Sequence, residues 1–462
     1  MSVQPNLVRG HPCAVTTRRI SRSVRNRGIF LLAMTLGACR QPAREPVTLN
    51  YFRLGWLSQS IELPTAVPLL QQFTRETGIH LKNLPVPEST LDQLDLSRKL
   101  LQEGNSGPDV LGIDLIWSGV LEGDLIDLRP YLAAEIPKLE PQLMPSYTVG
   151  RKVVAIPYAV QVGALEYRTD LLREYGYDHP PETWDELESM AERIQGGERA
   201  KGKKDFWGYV WQGGPAEALT CNALEWQAAE GGGRIIENDR TISVNNPAAI
   251  RSWQRAKRWI GWISPPSVVV YQELDSMNIL DSGGAAFGRV WEGTTITPSG
   301  QFRLHHLRNS LKVSRTGYMS IPGGPGGRAG TLGGSGVAVS RHSAHAQEAM
   351  KLVGFLIREE IHSSEQEQGA SADLPAQPGV YDLPSISDPH NPSEKSSQRK
   401  IGVVSRPSAE AGDKYEQVTR AYFGAVHSVL TGQRKAPEAA AELEKLLIKI
   451  TGFSAGPPKT TD

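Results

Sequence analysis

The sequence has few cysteines, no surplus of either charge and no long apolar run. Its 462 residues include only three cysteines, and none of them has the CxxC or His/Cys spacing of a zinc site. Lys and Arg together number 50, as do Asp and Glu, so the net charge of zero predicts no nucleic-acid partner. No apolar segment reaches the roughly 18 residues of a permanent membrane helix. We therefore expect no metal site, no cofactor and no membrane-spanning helix.

The N-terminus has the pattern of an export signal. Five arginines between Arg18 and Arg27 precede an apolar run at residues 29–36 that ends in small residues, which predicts a signal peptide at residues 1–38. The segment LGAC at 36–39 resembles the bacterial lipobox, and this implies that Cys39 becomes the lipidated first residue of the mature chain. A chance match after an ordinary signal peptide is the alternative. Residues 39–46 would then be a polar tether on a bacterial membrane.

The remaining cysteine allows no disulfide in the mature chain. Cys13 leaves with the signal peptide and Cys39 carries the lipid, so only Cys221 remains. No histidine is apparent as a partner that would activate it, and we interpret Cys221 as a buried small apolar residue.

Strand and helix patterns alternate along the first third of the chain. Residues 47–52, 79–81 and 110–113 have strand patterns, and helical patterns at 64–77 and 94–101 separate them. This order predicts a mostly parallel sheet covered by helices. Asp114 follows the third strand, at the carboxyl end where such sheets bind ligands. Capping of the next helical turn is an equally good explanation for Asp114.

Helix-start signals and tryptophans mark the middle of the chain. Thr183 and Glu186 form a capping-box pattern, and Asn246-Pro247 is typical of a helix start. Ten tryptophans occur up to Trp291 and none follow it. Most have core spacing, whereas Trp291 comes after the small-residue strand at 283–287 and is predicted either to stack on a sugar or to pack in the core.

A glycine-rich run, PGGPGG at residues 322–327, is the only segment with some likeness to a phosphate loop. It lacks the GxxxxGK[ST] pattern, and no helix opens directly after it. We therefore expect no nucleotide binding.

The stretch at residues 151–195, with IPY, GALEYRTDLLREYGY and PPETWDEL, resembles the inter-lobe segment of a known family. Together with SGPDVLGIDLIW, SGGAAFGRVW and RPSAEAGDKYEQVTRAYFGAVHSVLTG, it is similar to the maltose/trehalose-type extracellular solute-binding lipoproteins of bacterial ABC sugar importers. The resemblance runs from about residue 47 to 453. It implies a two-lobed α/β periplasmic-binding-protein fold, in which each lobe is a mostly parallel sheet flanked by helices and the ligand cleft lies between the lobes.

The resemblance also implies lobe boundaries. Lobe 1 would comprise residues 47–157 and 320–380, and lobe 2 residues 160–317 and 385–453, with a disordered tail at 454–462. The protein would be a monomer, exported to the periplasm or the cell surface.

The resemblance further assigns ligand-binding roles. Asp114, Gln161 and Glu273 would bind sugar hydroxyls, and Trp291 would stack on a ring. Gly336 would let the backbone approach the ligand, and Arg406 would donate to ring or glycosidic oxygens. Glu273 as solvated surface and Arg406 as a structural ion pair are the alternatives.

The function implied is capture of an oligosaccharide, such as the disaccharides trehalose or maltose, for delivery to a membrane permease, without catalysis. One alternative is a secreted carbohydrate-active hydrolase with Asp114 and Glu273 as its two carboxylates. Another is a binding protein of the same fold for a polyol or other polar solute.

Overall fold

The computed structural model describes residues 46–52, 66–86, 90–104, 107–138, 144–292, 315–356, 374–375 and 402–458. The predicted signal peptide and Cys39 lie outside these residues. The strands are β1 Thr48–Phe52, β2 His80–Asn83, β3 Val110–Asp114, β4 Thr148–Val149, β5 Lys152–Val153, β6 Ile156–Arg168, β7 Trp207–Val210, β8 Ala285–Glu292, β9 Thr316–Ser320, β10 Gly330–Val339, β11 Leu374–Pro375 and β12 Val403–Val404. The helices are α1 Ala66–Thr77, α2 Thr90–Gln102, α3 Ser118–Leu121, α4 Thr169–Glu174, α5 Trp184–Ala200, α6 Glu217–Ala229, α7 Pro247–Trp259, α8 Glu273–Asp281, α9 Ala346–Leu356, α10 Ser408–Ala411, α11 Tyr415–Leu430 and α12 Ala436–Thr451. None of these described helices is long and apolar enough to cross a membrane.

One sheet runs through the molecule in the order β2-β1-β3-β10-β6-β8-β7. At one end β2, β1 and β3 are parallel, and at the other end β7 and β8 are parallel. The two long strands between them, β10 and β6, run antiparallel to each other and to their outer neighbours. Helices flank both ends of this sheet, which confirms the predicted α/β fold class.

The strand β6 is longer than the sequence pattern predicts. The sequence pattern predicts a short strand at residues 153–158 and an extended crossing at 160–167, whereas the structure has one continuous strand of 13 residues, Ile156–Arg168. Its first half pairs with β10 and its second half with β8 and β9. A strand can change partners along its length while its backbone stays extended. The residues predicted as a crossing therefore remain part of β6.

The two ends of the sheet have different cores. At the β1–β3 end, Phe73 of α1 and Phe355 of α9 pack edge to face with ring centroids 5.2 Å apart. At the β7–β8 end a cluster of aromatic rings fills the interior, with Trp211 and Trp226 at 4.9 Å. Six of the nine described tryptophans are buried, which confirms that most of them are core: Trp117, Trp184, Trp211, Trp226, Trp253 and Trp259.

Local side chains start the helices where the sequence predicts. Asn246 caps α7, since its Oδ1 accepts from the backbone N–H groups of Ala248 and Ala249, both at 3.0 Å. Thr183 caps α5 by accepting from the N–H of Glu186 at 3.2 Å. The capping box is altered, however, because the Glu186 carboxylate accepts from the N–H of Glu182 instead of Thr183.

The glycine-rich run has a structural role. The N–H of Gly326 donates to the carbonyl of Ala229 at 2.7 Å, at the C-terminal end of α6. A Cβ at Gly326 would lie 2.4 Å from the carbonyl oxygen of Ala228, so only glycine fits there. The run therefore closes α6 by satisfying one of its last carbonyls.

Candidate functional site

The register of four neighbouring strands brings three predicted site residues onto one face of the sheet. Asp114 on β3 is opposite Ser335 on β10, and Gly333 on β10 is opposite Gln161 on β6. Directly opposite residues point to the same face, as do residues two apart on one strand. The pairing of Gly163 on β6 with Trp291 on β8 extends the same face. Asp114, Gln161 and Trp291 therefore lie on one face of the sheet, on β3, β6 and β8, each displaced by two residues along the strands from the next.

Asp114 occupies the last position of β3 and does two things. Its Oδ1 accepts from the N–H of Ile116 at 3.2 Å, so it caps the short helical turn that follows. The same oxygen lies 3.5 Å from Nη2 of Arg406. Its side chain is 17% exposed, which leaves it reachable from solvent. The capping role that the sequence left as an alternative for Asp114 is therefore present, and its ligand-binding role stays a prediction.

Arg406 follows β12 and is almost fully buried. Its Nη1 donates to Oε1 of Glu217 at 2.9 Å, and its Nη2 lies 3.5 Å from the carbonyl oxygen of Leu332. The guanidinium is therefore held between Glu217 and Asp114. The ion pair that the sequence left as an alternative role for Arg406 is present in the structure.

Glu217 anchors this arrangement and was missed by the sequence reasoning. It lies in the first turn of α6 and accepts from the Tyr415 hydroxyl at 2.5 Å and from the Thr419 hydroxyl at 2.7 Å. Burial, reinforced by the neighbouring Glu217, raises the pKa of Tyr415, so the phenol stays neutral and donates. The available sequence signal was an acidic residue at the start of the helix EALTCNALEWQAA, which is rich in small and apolar residues. In the structure, all of its remaining residues, 218–229, are buried.

Trp291 lies within β8, and not after the strand as the sequence predicted, because β8 continues its pairing with β6 through Glu292. The indole is only partly buried, unlike the core tryptophans. It lies over Gly333, where a Cβ would be 2.8 Å from the ring atom Cζ3. The Cζ of Arg289 is 4.0 Å from the ring centroid. The indole thus packs on a glycine and on a guanidinium.

Arg289 and Glu225 form a fully buried ion pair that was also missed. Nη2 of Arg289 lies 2.7 Å from Oε1 of Glu225, and both side chains are 0% exposed. Burial alone would lower the pKa of Arg289, but Glu225 and, more weakly, Glu273 raise it above its ordinary value. The only sequence signal was the unusual arginine in the strand FGRVW.

Glu273 opens α8 and is partly buried. The helix start is fixed by Gln272 and Asp275, which form a reciprocal capping box. Ser276 one turn later accepts from Nε2 of Gln212 at 2.6 Å, and the same Nε2 donates to the Arg289 carbonyl at 2.9 Å. Gln212 therefore links the helix that carries Glu273 to the strand that carries Trp291.

Gly336 does not join the other predicted residues. It is opposite Ile113, the neighbour of Asp114, and so belongs to the other face of the sheet. A Cβ there would lie 2.5 Å from the ring of Tyr147 and 3.1 Å from Ala155. The structure thus gives packing against Tyr147 as the reason for glycine at this position.

Cys221 is buried, and burial raises the pKa of its thiol to about 12, which makes it a poor nucleophile. Within the described ranges, no group of three or more His, Cys, Asp or Glu side chains is arranged to hold a metal ion.

Comparisons with known proteins agree with this architecture. The family model described as bacterial extracellular solute-binding protein matches residues 58–362. A relative from Deinococcus radiodurans, described as a probable ABC transporter-binding protein, is 35% identical over 396 residues, which cover 82% of this chain and 89% of the relative.

Solved structures of solute-binding proteins share this fold. A maltose-bound protein of T. maritima is 27% identical, with a TM-score of 0.72 over 87% of this chain and 100% of its own. A tagatose-bound solute-binding protein from Thermotoga lettingae, 20% identical, shares the fold with a TM-score of 0.73 over 88% and 100% of the two chains. A ribitol-bound one from Agrobacterium radiobacter, 21% identical, has a TM-score of 0.65 over 88% and 98%. The chain belongs to the bacterial extracellular solute-binding proteins.

Proposed function

We propose that this protein is the solute-binding subunit of an ABC importer and captures an oligosaccharide, such as the disaccharide maltose or trehalose, for delivery to a membrane permease. The observation that carries the proposal is that Asp114, Gln161 and Trp291 lie on one face of the sheet. A carboxylate, an amide and an indole on one face match the hydroxyls and the apolar ring face of a sugar.

Each group has a distinct role in this proposal. Asp114 and Gln161 bind hydroxyls, Trp291 stacks on a ring, and Glu273 adds a second carboxylate from α8. Arg406 donates to ligand oxygens through the guanidinium edge next to Asp114. We also propose the role of Gly336 in backbone approach as an expectation from the family, although it belongs to the opposite face of the sheet.

The charge balance of the region favours a neutral ligand. Arg406 is matched by Glu217 and Asp114, and Arg289 is matched by Glu225. Each cation in these pairs already has an anionic partner, so neither is available to balance the charge of an anionic ligand. Sugars and polyols are neutral and need no such cation.

The comparisons support the ligand class and the partner. Maltose, tagatose and ribitol are the ligands bound in the three similar structures. The relative from D. radiodurans is described as a probable ABC transporter-binding protein. A polyol or monosaccharide is therefore the second candidate ligand, and ribitol and tagatose test it in the thermal-shift panel.

The remaining expectations are part of the same proposal. The two lobes would have the boundaries given above, with crossings in β6 and at the end of β9, and would close over the ligand as a monomer. The chain would be exported and held on a bacterial membrane, at the periplasm or the cell surface, through lipidated Cys39.

We propose no catalysis. A hydrolase would need two carboxylates about 5–9.5 Å apart on either side of the bond, and the carboxylate of Asp114 is already next to Arg406. Incubation of the protein with maltose and trehalose should release no glucose. Release that is abolished by Asp114→Asn or Glu273→Gln would favour the hydrolase.

The function is tested by a thermal-shift panel of maltose, trehalose, tagatose and ribitol, followed by calorimetry on any stabilising compound. A ligand that binds only the native state raises the melting temperature. We expect stabilisation by at least one of the disaccharides, lost in Trp291→Ala and kept in Trp207→Ala. Stabilisation by ribitol or tagatose alone would assign the second ligand class, and no response to any of the four would contradict the proposal.

A further inference from the structure

The partly buried indole of Trp291 has a charged neighbour that the proposed ligand contacts do not use. Arg289 precedes Trp291 by two positions on β8, so both side chains point to the same face. The guanidinium carbon Cζ lies 4.0 Å from the centroid of the indole ring. This distance is well within the range of a cation–π contact, and the contact is stronger here because the arginine is fully buried.

The guanidinium has a fixed orientation. Its Nη2 lies 2.7 Å from Oε1 of Glu225 and its Nε lies 3.2 Å from Oε2, so the two flat groups meet edge to edge through two bonds. Oε1 of Glu225 also accepts from the backbone N–H of Thr331 at 3.0 Å. The pair therefore joins α6, β8 and β10, and the plane against which the indole packs is held by all three.

Two glycines provide the space for this arrangement. A Cβ at Gly163 on β6 would lie 1.9 Å from Oε1 of Glu225 and 2.7 Å from Nη2 of Arg289. A Cβ at Gly333 on β10 would lie 2.8 Å from Cζ3 of Trp291. Any other residue at these positions would displace either the ion pair or the ring.

We propose that Arg289 and Glu225 are positioning residues that hold the indole of Trp291 in place as the stacking surface for the ligand ring, an inference that rests on the function proposed above. The guanidinium is fixed against one face of the indole, 4.0 Å from the ring centroid, and so restricts the rotamer of Trp291. Binding then does not have to immobilise the ring. The stacking surface therefore has its binding orientation before the ligand binds.

The test first examines the ligand-free protein. Tryptophan positions are labelled with 5-fluorotryptophan, and the fluorine NMR signal of Trp291 is assigned by its loss in Trp291→Phe. Arg289→Lys keeps the charge opposite Glu225 but removes the flat group. The double variant Glu225→Gln with Arg289→Met removes both charges and retains an acceptor for Thr331, so that neither charge is left buried alone.

Arg199→Met is the matched control. Arg199 stacks on Trp207 with its Cζ 4.3 Å from the ring centroid, outside the proposed site. It should move the signal of Trp207 and leave that of Trp291 unchanged.

We expect the Trp291 signal to shift or broaden in Arg289→Lys and in the double variant while the other signals keep their positions. Calorimetric titration with maltose should then show binding weakened by about 10-fold or more in both variants. An unchanged Trp291 signal in Arg289→Lys would overturn the inference, even if the double variant fails to fold. If the signal moves but the wild type binds neither maltose nor any other compound of the thermal-shift panel, the positioning holds and the proposed function fails.

Discussion

The guanidinium of Arg406 and the carboxylate of Asp114, 292 positions apart in the chain, lie 3.5 Å from each other. Arg406 is bonded more closely to Glu217, at 2.9 Å, than to Asp114. Arg406 and Glu217 therefore form the tighter unit, and Asp114 is the looser partner at the end of β3. This difference suits an arginine that stays with Glu217 while Asp114 shares its contacts with a ligand.

The first prediction concerns this network. Arg406→Met should reduce the free energy of unfolding by about 3–5 kcal/mol, because it leaves the carboxylate of Glu217 buried without its cation. The double variant Glu217→Gln with Arg406→Met should recover much of that loss. Denaturant unfolding of the three proteins measures both values. A loss below about 1 kcal/mol in the single variant, as for an exposed pair, would contradict the assignment.

The sequence predicted the elements well and their long-range contacts poorly. The starts of α5 and α7 were predictable because the cap, Thr183 or Asn246, lies within three residues of the groups it satisfies. The position of Asp114 at the end of β3 was predictable for the same local reason. Helix caps and strand ends of this kind depend on residues only a few positions apart, so local sequence patterns are enough to predict them.

The pairing of side chains across the fold was not predictable in this way. Glu225 and Arg289 are 64 positions apart, and although the arginine in FGRVW is unusual, nothing in either segment indicates the partner. Only the packing of α6 against β8 and β10 brings them together and buries them. The sequence pattern predicts that the strand ends before Trp291, since no local feature indicates that β8 continues to pair with β6.

The second prediction separates stacking from packing at Trp291. Trp291→Ala should weaken binding of the stabilising sugar roughly 10- to 150-fold, because an apolar ring face loses about 1.5–3 kcal/mol of burial. Its unfolding free energy should change little compared with Trp253→Ala, where removal of a core indole costs about 3–5 kcal/mol.

Trp207→Ala is the matched control for this measurement, since Trp207 is also partly buried and stacked by an arginine. It should leave the affinity unchanged. Unchanged affinity in Trp291→Ala together with a large loss of stability would assign Trp291 to the core.

The third prediction concerns closure. If the crossings between two lobes lie in β6 near residues 157–163 and at the end of β9 near Ser320, a sugar that contacts both lobes stabilises the closed form by those contacts. Small-angle scattering should then give a smaller radius of gyration at saturation than without ligand. Trp291→Ala at the same sugar concentration provides the unsaturated control. An unchanged radius in the saturated wild type would indicate a fixed cleft.

The fourth prediction concerns the anchor at Cys39, which lies outside the described residues. The full-length protein expressed in a bacterial host should enter the detergent phase on phase partitioning, whereas Cys39→Ser should stay in the aqueous phase. Stable anchoring by acyl chains follows from the length of apolar chain that is buried. Cys221→Ser should behave as the wild type. Partitioning of both the wild type and Cys39→Ser into water would refute the lipobox interpretation.

The fifth prediction concerns pH. Glu166 on β6 lies between Gly288 of β8 and Tyr318 of β9. Burial, and then the charge of Asp281, raise its pKa from 4.5 to about 8, although Arg168 acts in the opposite direction. The carboxyl is therefore protonated in the folded protein at neutral pH, whereas the unfolded chain ionises near pH 4.5. Because the folded state binds the extra proton, the stability from this group decreases as the pH rises from about 4.5 to about 8 and is constant above that.

Glu166→Gln removes this dependence, since glutamine resembles the neutral acid and does not ionise. We expect the wild type to lose melting temperature relative to Glu166→Gln between about pH 5 and pH 9, with the two proteins closest at the acid end. Glu198→Gln is the matched control. Burial would raise the pKa of Glu198, but hydrogen bonds from Lys201, Lys203 and Tyr175 lower it to about 2, so its stabilisation is lost only below about pH 4.5. The difference between Glu198→Gln and the wild type should accordingly stay constant from pH 5 to pH 9. A constant difference for Glu166→Gln as well would mean that Glu166 is ionised in the folded protein throughout this range.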